Sequence, residues 1–321
     1  MGNYNIYKIP KGNGKFRIIA DPSSECRQKS EVMLSQLNAA INMWHVYDIL
    51  PVASRSYAYI PGRSCKTLVD KMYTDIGSCK DYDIFSIDVK DYFSSIRRDQ
   101  VIQLTSLLPI ISPHFLDKLW DELHPDHARE YFPYDNIGIA QGNPVCPVIA
   151  NLVGFKYIDN IYSQWYNTSG GDLLKELGVL EPSYYRYSDN IFIVIKRTGN
   201  YSRDRIYKSI RSAYDRCIDF KFTMSVSGSH QLNVLLGIRL GDNRGRLKNK
   251  AWLRNLFYRI RTKNLAVLKH KDVIECFGND LSWEDFTQKV AGLISYSVGI
   301  EPELRKYIGN LIEDMESHIE S

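Results

Sequence analysis

Apolar and polar positions along this chain alternate in some stretches and recur at helical spacing in others. From Tyr184 to Lys196 two runs rich in aromatic and β-branched residues flank a polar step. That pattern predicts a tight β-hairpin with Asp189-Asn190 at its turn. From Ile84 to Phe93 a short apolar strand runs straight into Asp88. Residues 4–21 predict another hairpin, around Gly12-Asn13-Gly14, with Lys11, Lys15 and Arg17 sharing an exposed face. Helical periodicity covers Ser23 to Leu50, with Ser24 as cap, and begins again at about Cys65. It returns at Val101–Leu108 and Phe115–Leu123, split by Pro109 and Pro113, then from about Pro147 to Trp165 and from Tyr201 to Phe220. Thr168–Asp172 reads as a flexible insert. The stretch after residue 245 reads as helical, its cations (Lys248 and Arg254 among them) alternating with Trp252, Phe257 and Tyr258. A basic amphipathic face suits a nucleic-acid backbone, and equally a solvated surface.

Chemistry concentrates at two strand ends. Asp189 reads either as a plain turn residue, since Asp and Asn tolerate left-handed geometry, or as a carboxylate held at the tip of a stiff hairpin. Asp88 supplies a partner carboxylate at the end of an apolar strand. Two such groups on neighbouring strands suit a pair of divalent ions roughly 3.5–4 Å apart. A second Tyr-x-Asp-Asn, Tyr157 to Asn160, follows at helical spacing and reads as a helix surface. His124 and His127 flank Pro125 and read as solvated loop residues rather than metal ligands.

Composition narrows little. The chain has 321 residues, 44% of them hydrophobic, and a net charge of +4, so nucleic-acid binding must be argued from local clusters. Six dispersed cysteines form no Cys-x-x-Cys pair, which argues against a zinc site or a disulfide framework. No apolar run approaches the roughly 20 residues of a membrane span, the N-terminus lacks an apolar h-region, and a cytoplasmic protein without membrane contact is expected.

Taken in order, four blocks resemble the bacterial-type reverse transcriptases, the group that includes group II intron, retron and phage-defence enzymes. Ser86–Ser95 resembles the first catalytic block, Gly138–Asn151 the glutamine-glycine block, Tyr187-Ser-Asp-Asn190 the tyrosine-x-aspartate-aspartate box, and Leu235–Leu240 the primer grip. The resemblance implies an α+β right-hand polymerase: fingers over 1–80, palm over 81–104, a connection over 105–137, palm again over 138–245, and a helical thumb over 246–321. It implies catalysis by Asp88, Asp189 and Asn190, with metal held by Asp88, Val89 and Asp189. Nucleotide contacts fall to Arg17, Lys15, Asp91, Tyr92, Phe93, Gln141 and Gly142. Phe93 stands at the sugar gate, five residues past Asp88, where a ring blocks a ribose 2′-OH. Asp91 would cap the backbone near the triphosphate. Arg63, Tyr187, Leu236 and Gly237 would touch nucleic acid.

The implied cofactor is Mg²⁺, with Mn²⁺ the alternative. The implied partners are an RNA template such as a non-coding RNA, dNTPs and a DNA product, with a partner protein or second copy not excluded. The size, and the end of the chain at Ser321, suggest a minimal enzyme resembling those of antiphage defence, with no RNase H, endonuclease or zinc module expected after the thumb. Two departures keep other readings open. Asn190 stands where a second Asp is usual, and the expected leaving-group Lys has only Lys221 and His230 as weak candidates. A catalytically silent polymerase-fold subunit, or an untemplated or protein-primed DNA polymerase, are the alternatives.

Overall fold

The computed structural model describes residues 4–12, 15–46, 55–132, 134–229, 234–235, 238–239 and 294. The chain opens with β1 (Tyr4–Gly12) and β2 (Lys15–Pro22), an antiparallel pair with an irregularity between Pro10 and Gly12. Alternation decides their faces. Tyr4, Ile6, Ile18 and Ala20 pack on Ala128, Phe132 and Ala140, while Tyr7, Ile9 and Arg17 stay exposed.

Helix α1 (Ser24–Met43) is capped by Ser23 rather than Ser24, the Ser23 hydroxyl accepting from the N–H of Cys26. It ends at Met43, not Leu50: His45 takes φ 45°, a left-handed conformation through which no right-handed helix continues. Helix α2 (Cys65–Ile76) starts with a reciprocal capping box between Ser64 and Thr67. Next come β3 (Tyr82–Val89) and the short helices α3 (Tyr92–Ser95) and α4 (Arg98–Ile102). In α5 (Pro113–Leu123), Pro113 lies in the first turn, where its missing N–H costs nothing, instead of separating two helices. Helices α6 (Cys146–Val153), α7 (Asn160–Trp165) and α8 (Gly171–Glu176) are joined by π-helical turns at Gly154–Asp159 and Tyr166–Gly170. The expected flexible insert is therefore helical, its only non-helical dihedrals at Thr168. Strands β4 (Ser183–Tyr187) and β5 (Asn190–Lys196), helix α9 (Arg203–Asp215) and β6 (Phe222–Gly228) complete this part.

All pairings in the sheet are antiparallel, in the order β4-β5-β3-β6. One face buries Phe85, Ile87, Val89, Ile191, Ile193 and Ile195 in the same core as Ile149, Ile158, Ile206 and Ile210 of the helices. Each such side chain contributes about 1.5–3 kcal/mol on leaving water, so the strands that carry the acids rest on a dense, rigid layer. On the other face α2 lies against β4 and β5, with the Tyr185 hydroxyl donating to Asp75. The period-2 alternation explains this: Tyr184 and Arg186 face the α6–α7 side, Tyr185 and Tyr187 face α2.

The chain divides into two compact units, Met1–Gln231 and Leu232–Ser321. In the second, β7 (Val234–Leu235) pairs with β8 (Ile238–Arg239). Leu236, Gly237, His230, Lys248, Arg254 and, apart from Ile294, the expected helical thumb lie outside the described residues. Among the described residues no helix is long and apolar enough to cross a membrane.

Candidate active site

The sheet register assembles the acids. Asp88 pairs with Asn190 on one side and Thr223 on the other, and Asn190 pairs with Tyr187. Directly opposed residues share a face, so Tyr187, Asn190, Asp88 and Thr223 form one row across all four strands. The two-residue turn of the hairpin is Ser188-Asp189, one position earlier than the sequence pattern suggests, and Asn190 is already the first residue of β5. Ser188 takes φ 56°, the left-handed geometry that such a turn requires. The N–H of Val89 donates to the carbonyl of Asp189 at 3.0 Å, clipping the end of β3 to the turn. Asn190 Nδ2 donates to Asp189 Oδ1 at 3.0 Å, tying the two side chains together and leaving the amide oxygen outside that bond.

This donor set fits a hard divalent cation. Two carboxylates and an amide oxygen are all-oxygen ligands of the kind Mg²⁺ and Mn²⁺ prefer. The Val89 side chain is buried, so only its backbone is available for metal. No cluster of three or more His, Cys, Asp or Glu side chains suited to a metal occurs among the described residues. At the candidate site the third position is the uncharged Asn190.

Directly under the turn lies an ion pair that sequence reasoning missed. Arg186 is fully buried, and Asp159 is 1% exposed. Arg186 donates to Asp159 through Nε at 2.6 Å and Nη2 at 3.0 Å, to the Asn151 carbonyl at 3.2 Å, and through Nη1 to the Ser188 carbonyl at 3.1 Å. The Tyr184 hydroxyl completes the carboxylate at 2.5 Å. Burial alone would lower the Arg186 guanidinium, but Asp159 more than reverses it, while burial pushes the Asp159 carboxyl up against the pull of Arg186. With three donors on the carboxylate, the pair is ionised. Asp159 is thus no helix-surface residue: the Tyr157–Asn160 motif turns its acid inward through the π-helical turn. A charged residue at an inward-facing strand position was the available signal for Arg186.

The nucleotide side is more mixed. Phe93 is half-buried, its ring edge-on to Tyr92 at 5.7 Å, and its carbonyl accepts from the N–H of Ile139 at 2.9 Å. Tyr92 itself is 2% exposed and donates to the Ala150 carbonyl, so its side chain is a core anchor, not a nucleotide contact. Asp91 occupies the N-cap position of α3 with φ 48° but makes no side-chain capping bond. The Gln141 N–H donates to Ile18 at 3.2 Å, and the Gln141 carbonyl accepts from Ala20 at 2.6 Å, which places Gln141 beside the strand carrying the exposed Arg17. Gly142 has φ 121°, and a Cβ there would sit 2.5 Å from the Ala20 carbonyl. Its glycine allows close approach to β2. The backbone of Lys15 lies at the start of β2, while its side chain is outside the described set. Arg63 is partly committed to structure, donating to the Ser56 carbonyl at 2.7 Å.

Tyr59 is a further residue that the sequence did not single out. Its φ of 58° is left-handed, its hydroxyl lies 3.5 Å from Ser188 Oγ, and it is 40% exposed. Burial pushes its hydroxyl up; Asp189 adds to this, and Ser188 and Arg17 oppose it. Tyr59 is thus within electrostatic reach of both Arg17 and Asp189. Away from this centre, His124 is 1% exposed instead of solvated. It stacks between Trp120 and Phe132 and holds the Gly138 carbonyl at 2.7 Å through Nδ1, and burial lowers its pKa. Lys221 is exposed, and its carbonyl accepts from the N–H of Lys90 at 2.8 Å.

Comparison with known proteins agrees with this geometry. The family described as reverse transcriptase (RNA-dependent DNA polymerase) matches residues 9–229. An uncharacterised 91 kDa protein encoded in a cob intron of Schizosaccharomyces pombe is 29% identical over 161 residues, covering 49% of this chain and 19% of that protein. Apo telomerase from Candida tropicalis superposes with TM-score 0.55 at 10% identity, over 96% of this chain and 59% of the other. The same telomerase in complex with a fragment of telomeric RNA gives TM-score 0.51 at 12% identity, over 96% and 55%. At such identities the telomerase likeness speaks for the fold alone, an α+β right-hand polymerase. The chain spans about a fifth of the length of the intron protein and less than two thirds of the telomerase chains.

Proposed function

This chain belongs to the reverse transcriptase family, whose pattern covers residues 9–229, and from that premise we propose that it synthesises DNA on an RNA template by metal-dependent nucleotidyl transfer from dNTPs. The observation that carries the reading is the register pairing of Asp88 with Asn190, beside Asp189 at the turn. Bound Mg²⁺, or Mn²⁺, would lower the pKa of the attacking hydroxyl and neutralise phosphate charge. Asp88, Asp189 and the amide oxygen of Asn190 would hold it. Arg17 would grip the triphosphate with its two-pronged guanidinium, and Gln141, fixed to the same strand, would face the base pair. The RNA partner is supported by the family, whose description is an RNA-dependent DNA polymerase. Fingers over 1–80, palm over 81–104 and 138–245, and thumb over 246–321 remain the proposed division. The proposed setting, bacterial antiphage defence with a non-coding RNA template, rests on the resemblance read from the sequence. Primer extension on an RNA template with radiolabelled dNTPs tests the activity. Absence of incorporation with either metal, on any template, favours the silent-subunit reading, which Asn190 supports.

Two outcomes follow. Phe93→Val opens the half-buried position five residues past Asp88 and should raise ribonucleotide use relative to deoxynucleotide by at least about tenfold. An unchanged ratio in an active variant removes Phe93 from the sugar gate. Asn190→Asp restores a charge at the third ligand position. At about 4 Å from a dication and an effective dielectric near 20, one unit charge is on the order of several kcal/mol before hydration compensates. The Mg²⁺ concentration for half-maximal synthesis should therefore fall in Asn190→Asp, and the wild type should respond better to Mn²⁺ than the variant does. An identical metal titration in both proteins would contradict this.

A further inference from the structure

We propose that the buried Asp159–Arg186 pair is a positioning device for the metal-binding turn, so that its loss is read at the metal site and not merely in stability; the inference rests on the polymerase reading above. One guanidinium joins three parts of the fold. It holds Asp159 at the end of the π-helical turn, the Asn151 carbonyl of α6, and the Ser188 carbonyl next to Asp189. The fit is tight: a Cβ on Gly154 would come within 2.7 Å of Arg186 Nη1 and 2.8 Å of the Tyr92 hydroxyl. Tyr92, four residues after Asp88, donates to Ala150 of the same helix. The strand end carrying Asp88 and the turn carrying Asp189 are thus anchored to one stretch, Ala150–Gly154.

Why an ion pair stands here follows from what it does for Ser188. A buried salt bridge is rarely better for stability than apolar side chains of similar volume. Hydrocarbon would fill the space but could not hold a carbonyl, and Ser188 sits at φ 56°, a conformation a non-glycine residue keeps only when its surroundings impose it. A donor that reaches both Asp159 and the Ser188 carbonyl ties the turn to the helices beneath it, adding to the clip from Val89. Groups that orient metal ligands in this way typically govern metal affinity by 10–100-fold.

The test replaces the pair as a unit. In the full chain, Asp159→Leu with Arg186→Met removes both charges and leaves neither partner unsatisfied. Mn²⁺ binding to the folded protein is followed by electron paramagnetic resonance, alongside the Mg²⁺ dependence of primer extension. The expected result is a folded variant that binds Mn²⁺ about ten- to a hundredfold more weakly, with the KM for nucleotide little changed. If the double variant does not fold, Arg186→Lys keeps a charge opposite Asp159 but cannot hold Ser188 and Asn151 together, and the same weakening is expected. Unchanged Mn²⁺ affinity in the folded fraction of either variant overturns the inference and leaves the pair purely structural. Absence of Mn²⁺ binding by the wild type overturns the polymerase reading, and the inference with it.

Discussion

Asp88→Ala and Asp189→Ala should each reduce nucleotide incorporation by at least about 10³-fold, the scale seen when an element that stabilises transition-state charge is removed. Both substitutions should spare the fold. Asp88 is exposed at the end of its strand and Asp189 lies in a two-residue turn, so neither change opens a cavity. Substitutions of this kind usually alter stability by no more than about 0.5 kcal/mol. Primer extension with matched thermal unfolding checks both halves. Activity within tenfold of wild type in either variant would remove that residue from the centre.

Asp159→Ala should differ: a large loss of stability, with the folded fraction keeping nucleotide incorporation but holding metal more weakly. It strands the Arg186 guanidinium in the core without a counter-charge, and breaking one side of a buried pair costs about 3–5 kcal/mol. Urea unfolding of wild type and variant measures this. A change below about 1 kcal/mol would mean that Arg186 relaxes to other partners. The pattern matters because Tyr157–Asn160 repeats the letters of the catalytic box. Read as a helix surface, it would be inert to substitution; seen in the fold, its Asp159 is the counter-ion of Arg186 beneath the proposed catalytic box.

Much of the fold was legible because it follows local rules. Alternation marked β3, β4 and β5, Gly12-Asn13-Gly14 marked the first hairpin, and the return of helical periodicity near Cys65 marked the start of α2. Where the reading slipped, a backbone feature with no strong letter decided. The left-handed Ser188 moved the turn by one residue, and the left-handed His45 ended α1 early.

What the sequence determined by itself is the order of the blocks and that Asp88 and Asp189 sit at strand ends; the register that sets Asp88 opposite Asn190 came from the fold. Which acid would be exposed and which buried was decided only by tertiary structure. Asp189 and Asp159 have the same neighbours in sequence, Tyr-x before and Asn after. One lies in a turn clipped to Val89, and the other is turned inward by a π-helical turn to meet Arg186, 27 positions away. Charge burial depends on whether a partner from elsewhere in the chain arrives to compensate it, and no local pattern carries that information.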